Sequence, residues 1–455
     1  MNDITAFFAF LKYCLGNKEN MSRVIAGMNW HELYSFASKQ ALLGLCFEGI
    51  ERLGEEYPEE LRLNPIGREL LMTWMGKAQQ IRKQNMKVNS VAGKLFSMLR
   101  EDGLRCCVLK GQGNALMYPN PYSRTPGDID VWIDASRERI MEYAQKKFEL
   151  EDDIRLQHLE TSLDGVPVEL HFFPCSMNNP IYHARLQKWF RRNADLQCSH
   201  IVGLPDGAGD IAIPTTAFNV IYQLTHLYHH FFDEGIGMRQ IIDYFLVVNN
   251  FSKNVFWDND LSNHPVNFSN HPVPLSKEGS TFSPSPSSSG SGDVTAPSRC
   301  SEPLRSKDGG PSKVSPDCAG WDRLAIEGDN SATAVTSSAS TALVVVQREL
   351  KCLGLWKFAG AVMYVLHEAL GLPEEKMIAP MDEKRGKLLL EEILNGGNFG
   401  RHFTKYGHFT QQGMAKKYFL KIWRNMHFVR YYPAEALSEP IFRTWHFFWR
   451  FKHRR

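Results

Sequence analysis

Residues 127–133 read Gly-Asp-Ile-Asp-Val-Trp-Ile, and their alternation constrains the fold more than any other stretch of the chain. In an extended strand, side chains at i and i+2 share a face. Asp128 and Asp130 therefore present their carboxylates together, while Ile129, Val131 and Ile133 point into a core. Two adjacent anionic groups repel unless a cation neutralises them. A hard divalent ion does this with one or two protein carboxylates and the phosphates of a substrate. A surface strand with solvated acids is the competing reading, because so short a motif recurs by chance.

Three further features bear on that choice. Val166 to Phe172 is a second strand candidate that carries Glu169 and His171 on one face, with apolar neighbours on both sides that put it inside a sheet. Paired beside the Asp128 strand, it brings three carboxylates together, the ligand count of two-metal phosphoryl or nucleotidyl transfer. Upstream, Val108-Leu109-Lys110-Gly111 predicts a strand ending in a glycine turn, before a helical stretch over Gln112 to Met117. Such a turn lets phosphate oxygens approach backbone N–H groups at a helix start. Lys110 and Arg124 supply cations for a polyphosphate, arginine by bidentate contact and lysine as a point charge.

Leu109-Lys110-Gly111, Tyr118-Pro119, Arg124, Asp128 to Ile133 and Val168-Glu169-Leu170-His171, in this order, resemble the bacterial uncharacterised nucleotidyltransferase family, a branch of the polymerase-β-like superfamily. Trp30-His31-Glu32-Leu33, His226-Leu227-Tyr228-His229-His230, Gly235 to Asp243 and Phe358 to Met363 with Leu366-His367-Glu368 are similar to its flanking helical regions. The resemblance implies a mixed-sheet core and transfer of a nucleoside monophosphate from NTP with Mg²⁺, Mn²⁺ being the alternative ion. It makes Asp128 and Asp130 the metal pair, Glu169 the third catalytic acid, and Lys110-Gly111 the nucleotide-side turn. The wider superfamily has Gly-Ser at that turn, where this chain has Lys110-Gly111-Gln112. Arg239 either pairs with Asp243 at i+4 or faces the cleft and holds nucleotide or acceptor.

The fold class expected is α+β: a small mixed-sheet nucleotidyltransferase core flanked by helical subdomains. Helical spacing such as Trp30, Leu33, Phe36, Ala37 predicts a helical N-terminal subdomain over 1–99. The catalytic core is drawn at 100–205, a helical part at 206–250 and a helical C-terminal subdomain at 342–455. Residues 251–341 include a half-serine stretch, Gly279 to Gly292, too poor in apolar area to repay its ordering entropy, so the segment reads as a disordered low-complexity insertion.

The 455 residues carry a formal net charge of only +2. From Arg401 to Arg455, however, 12 basic residues stand against 2 acidic, leaving 40 against 48 in the rest. That tail holds 15 aromatic residues. Docking onto the body and peripheral contact with an anionic membrane face are favoured for it over stacking on single-stranded nucleic acid; sequence-specific nucleic-acid binding is not expected. No apolar run is long enough to span a bilayer, no secretory signal is evident, and nine scattered cysteines fit reduced thiols, so a cytoplasmic location is expected, with peripheral attachment at the inner membrane face as its extension. His226, His229 and His230, at i, i+3 and i+4, read as structural or substrate-side residues before a zinc site, since a catalytic zinc takes three protein ligands. The functional expectation is an enzyme with NTP and an unidentified hydroxyl acceptor, whether small molecule, protein or RNA. A non-catalytic binding protein on the same fold is the alternative.

Overall fold

The computed structural model describes residues 3–150, 155–256, 334–402 and 414–453. Most of the segment for which disorder is expected lies outside the described residues.

Six helices come first: α1 (Asp3–Cys14), α2 (Ser22–Ala26), α3 (Trp30–Lys39), α4 (Leu43–Glu56), α5 (Pro58–Leu63) and α6 (Arg68–Glu101). The long α6 joins two cores. Its Leu70 and Trp74 pack with the helical bundle, while Val88, Ala92, Leu95 and Leu99 pack beneath the sheet. Then follow β1 (Cys106–Leu109), α7 (Gly111–Ala115), β2 (Ile129–Ile133), α8 (Arg137–Lys147), β3 (His158–Leu163), β4 (Val166–His171) and α9 (Pro180–Ser199). The small hairpin β5 (Ile201–Gly203) with β6 (Asp210–Ala212) spans the division drawn at 205/206. Where α6 passes it, a Cβ on Gly93 would collide with the Ala208 carbonyl oxygen, so only glycine allows that approach. Next come α10 (Thr216–Asp233), α11 (Met238–Phe256), α12 (Ala334–Cys352), α13 (Trp356–Leu370), α14 (Glu383–Gly396), α15 (Met414–Met426) and α16 (Pro433–His453). Helix thus reaches into both ends of the segment drawn at 251–341.

The central sheet has the order β1-β2-β4-β3, with β2 and β4 parallel and the outer pairs antiparallel. It is the mixed sheet expected, and the fold is α+β. Asp164 and Gly165, both at positive φ, turn β3 into β4, the backbone that a two-residue hairpin requires. One sheet face is largely apolar: Ile129, Val131, Ile133, Val168 and Leu170 pack on α6 and on Ile140 and Ala144 of α8. On the other, Trp132 stacks with Phe218 of α10 at 6.2 Å and tilts against Phe190 of α9. Beyond that aromatic cover, the same face carries Asp130, Glu169 and His171. Burial on both faces explains why β2 reads as an almost continuous apolar run broken only by Asp130.

Part of the basic-aromatic tail docks. Phe428 lies 4.6 Å from Phe231, Tyr432 packs against Phe358 and Tyr228, and buried Arg424 reaches Glu392 at 3.4 Å. Lys421 and Arg443 both bind Asp233, at 3.0 and 2.8 Å. Trp445, Phe447 and Phe448 remain about half or more exposed. No helix among the described residues is long and apolar enough to cross a membrane.

Glu435 of α16 fastens this helix to the loop before α9, accepting the Asn178 N–H at 2.6 Å and the Asn179 N–H at 3.2 Å. Burial pushes its carboxyl up from 4.5 to about 7, the backbone bonds opposing only in part. Between those two values the unfolded chain releases a proton that the folded chain keeps, so stability should fall as pH rises through this window, by up to about 3 kcal/mol. Glu435→Gln removes that loss. Its melting temperature should match the parent's near pH 4.5 and exceed it at pH 8; an equal difference at both would contradict the assignment.

Candidate active site

Register brings the acids together. Asp130 of β2 lies directly opposite Glu169 of β4 in the parallel pair, and Asp128 precedes β2 by one residue on the same face. One carboxylate oxygen from each of Asp128, Asp130 and Glu169 lies within 4.8 Å of the others. Asp130 is buried, Glu169 half-buried and Asp128 open to the cleft.

Such crowding must be compensated, and two internal cations do it. Lys110 Nζ donates to Asp130 Oδ1 at 3.0 Å, and His171 Nε2 donates to Asp130 Oδ1 at 3.0 Å and to Glu169 Oε2 at 3.1 Å. Burial would raise Asp130, but Lys110 and His171 outweigh it and hold the carboxyl well below the usual carboxylate range. Glu169 is lowered against its own burial by the His171 hydrogen bond. Burial disfavours the charged form of His171, yet the bonds to Asp130 and Glu169 raise it to about 9. Asp128 lacks such a bond. Repulsion from Asp130, then burial, raise it to about 6, which leaves the mouth of the site the place where a further cation gains most.

The turn between β1 and α7 is built around Lys110. Its φ of 54° is strained for a residue with a Cβ, and Gly111 follows at φ 44°. Gln112 turns away and binds Asn89 of α6. Lys110 is thus the side chain of this turn that meets the acids. Above it, His226 Nε2 lies 2.9 Å from Lys110 Nζ and 3.1 Å from His230 Nε2. Burial, then Lys110, push His226 well down, so a neutral imidazole accepts from the ammonium. Among the described residues, no three-ligand metal cluster includes His226, His229 or His230.

Two cavities flank the acids. The smaller is lined by Lys110, Gly111, Arg124, Arg239, Asp128 and Asp130, with Phe399 opposite. The larger, about 480 Å³, shares Lys110, the two aspartates and Phe399 and extends past Glu169, His158, His171 and the α10 histidines to Arg155, Arg401 and Lys421. Arg124, expected to meet phosphate, instead takes the aspartate that helical spacing offers to Arg239. Arg124, buried, forks onto Asp243 with Nε–Oδ1 2.9 Å and Nη2–Oδ2 2.8 Å, while Tyr118 adds its hydroxyl at 2.8 Å. The i, i+4 pair of Arg239 with Asp243 does not form. Arg239 donates Nη1 to the Thr125 carbonyl at 2.9 Å, leaves its buried Nε without a partner, and lies 5.5 Å from the Phe399 ring.

Sequence reading missed His158 and Phe399. His158 opens β3 and pairs across it with His171. Its signal was the Asp164-Gly165 hairpin turn, which implies a strand upstream of β4. Phe399 lies in a turn at φ 54°, and nothing in its local pattern announces the cleft.

A mixed sheet brings three carboxylates to one point beside a strained Lys-Gly turn, an arrangement that could hold a metal ion. The sequence profile of the uncharacterised nucleotidyltransferases matches residues 26–263, just over half of the chain, and the chain belongs to that family. Comparison with curated proteins and with solved structures returned no significant match.

The buried Arg124–Asp243 pair predicts a large structural effect. Asp243→Ala strands a buried guanidinium and the Tyr118 hydroxyl, and should lower the unfolding free energy by about 3–5 kcal/mol in denaturant titration. A change below about 1 kcal/mol would show that Arg124 is not held by Asp243.

Proposed function

We propose that this protein transfers a nucleoside monophosphate from NTP to a hydroxyl acceptor, using Mg²⁺, or Mn²⁺ in its place. The observation that carries the reading is the register of Asp130 against Glu169, which gathers three carboxylates in a nucleotidyltransferase-family chain. Asp128, Asp130 and Glu169 fit the ion as its oxygen ligands: their mutual repulsion is only partly relieved by Lys110 and His171. When bound, the ion supplies Lewis-acid polarisation of the α-phosphoryl group and lowers the pKa of the attacking hydroxyl.

The residues of the chain do the positioning. Lys110, Gly111, Arg124 and Arg239 all border the smaller cavity, which suits the phosphate chain. Within it Arg239, with an unpartnered buried Nε, is the better phosphate contact, and Arg124 acts through Asp243 to shape the wall. Lys110 neutralises Asp130 and offers its charge to phosphate oxygens in the role that the missing Gly-Ser hydroxyl would fill. Glu169 faces the larger cavity, where the acceptor hydroxyl approaches and where a carboxylate can receive its proton.

Incubation with each labelled NTP, Mg²⁺ and a cell extract, followed by separation of small molecules, RNA and protein, tests this. Label should pass to one of these fractions, and Asp128→Ala and Asp130→Ala should each reduce transfer by at least about a hundredfold. Equal transfer by the substituted proteins would remove the site. NTP binding without transfer to any fraction would make the protein a nucleotide-binding member of its family.

A further inference from the structure

On the far side of Glu169 from the aspartates lies a second ligand set of different chemistry. His158 of β3 and His171 of β4 are direct cross-strand partners, and Glu169 stands two residues before His171 on the same face. One ligand atom from each of the three lies within 4.8 Å of the others. Glu169 Oε2 is 3.1 Å from His171 Nε2 and 3.4 Å from His158 Nδ1. A tetrahedral ion with bonds of about 2.1 Å separates its ligands by about 3.4 Å, so these spacings match a shared ion closely. An independent observation points the same way. His158 is only 8% exposed, yet neither ring nitrogen makes a hydrogen bond: Nδ1 faces Glu169 at 3.4 Å and Nε2 faces Glu160 Oε1 at 3.6 Å without bonding either. A buried imidazole with both nitrogens unsatisfied is costly in a native fold and calls for a partner.

We propose that His158, Glu169 and His171 bind a borderline divalent transition ion of the Zn²⁺ class, distinct from the hard ion at Asp128 and Asp130, with Glu169 common to both. Two imidazoles and one carboxylate favour such an ion over Mg²⁺, which prefers oxygen ligands throughout. Three protein ligands leave a fourth position open toward the 480 Å³ cavity. Ligation uses His171 Nε2: the imidazolium releases that proton to solvent as the ion takes its place and keeps the one on Nδ1. Gln157, whose Nε2 lies 3.3 Å from Nδ1, turns its amide so that its oxygen accepts a hydrogen bond from the Nδ1–H. The strands hold the three donors, so the site is preformed and does not depend on nucleotide.

The full chain, stripped with chelator and repurified, is titrated calorimetrically with Zn²⁺ in the absence of nucleotide, and a zinc-soaked crystal is measured across the zinc absorption edge. One ion per chain should bind, with its anomalous peak between His158 and His171. His158→Ala and His158→Asn should each weaken binding by at least about tenfold, whereas Asp128→Asn should leave it unchanged. The anomalous peak in the unsubstituted protein decides the matter even where a variant folds poorly. A peak at the aspartate pair or elsewhere, no zinc uptake, or unchanged affinity in folded His158 variants would overturn the proposal. Zinc binding can fail with NMP transfer intact, and transfer can fail with zinc bound, so the two readings are separable.

Discussion

The parallel pairing of β2 with β4, in the register that sets Asp130 against Glu169, is the constraint from which the rest of the site follows. Like charges on adjacent strands at one level are unfavourable in a buried sheet, and the register could have been relieved by a shift of one residue. Such a shift would turn Ile129, Val131 and Ile133, or Val168 and Leu170, out of the core beneath α6 and α8. Hydrophobic packing on one face therefore enforces electrostatic crowding on the other. The apolar packing outweighs the repulsion, because several fully buried aliphatic side chains are each worth roughly 1.5–3 kcal/mol.

What makes the crowding tolerable is built into neighbouring elements. Lys110 arrives from the end of β1 in a strained backbone state, and His171 lies on β4 itself. His171 is buried and Lys110 half-buried, and both stay charged because carboxylates face them, as the carboxylates stay ionised because the cations are there. Asp128, at the open mouth, is the least compensated of the three. The polarity of the site is thus graded from a neutralised floor to an anionic rim, and the rim is where a diffusing cation meets the cleft. The His226–His230 pair above Lys110, kept neutral by burial, adds no charge and leaves that gradient intact.

Much of this was legible in the sequence because strands announce themselves by period-two alternation. Asp128, Asp130, Glu169 and His171 could be placed on common faces from residues 128–133 and 166–171 alone, and the glycine turn at Gly111 from its position after an apolar run. The partners of long-range ion pairs were not legible. Arg124 and Asp243 stand 119 positions apart, and nothing in either neighbourhood selects one for the other over the nearer Arg239. His158 was hidden because β3, reading His-Leu-Glu-Thr-Ser-Leu, is weakly apolar as an edge strand, and only its turn to β4 betrays it. The cleft-facing place of Phe399 depends on how α14 ends and meets α10, which is a property of packing and not of local pattern.

Carboxylates from two strands are proposed to share one cation. Mn²⁺ binding followed by electron paramagnetic resonance, with a non-hydrolysable NTP present, tests this when the parent is set beside Asp130→Asn and Glu169→Gln. Comparable weakening in both variants, by at least about tenfold, is the result expected of a shared ion. Retention of parental affinity in Glu169→Gln would show that β4 contributes no ligand, and the account of the site as a two-strand metal centre would fail.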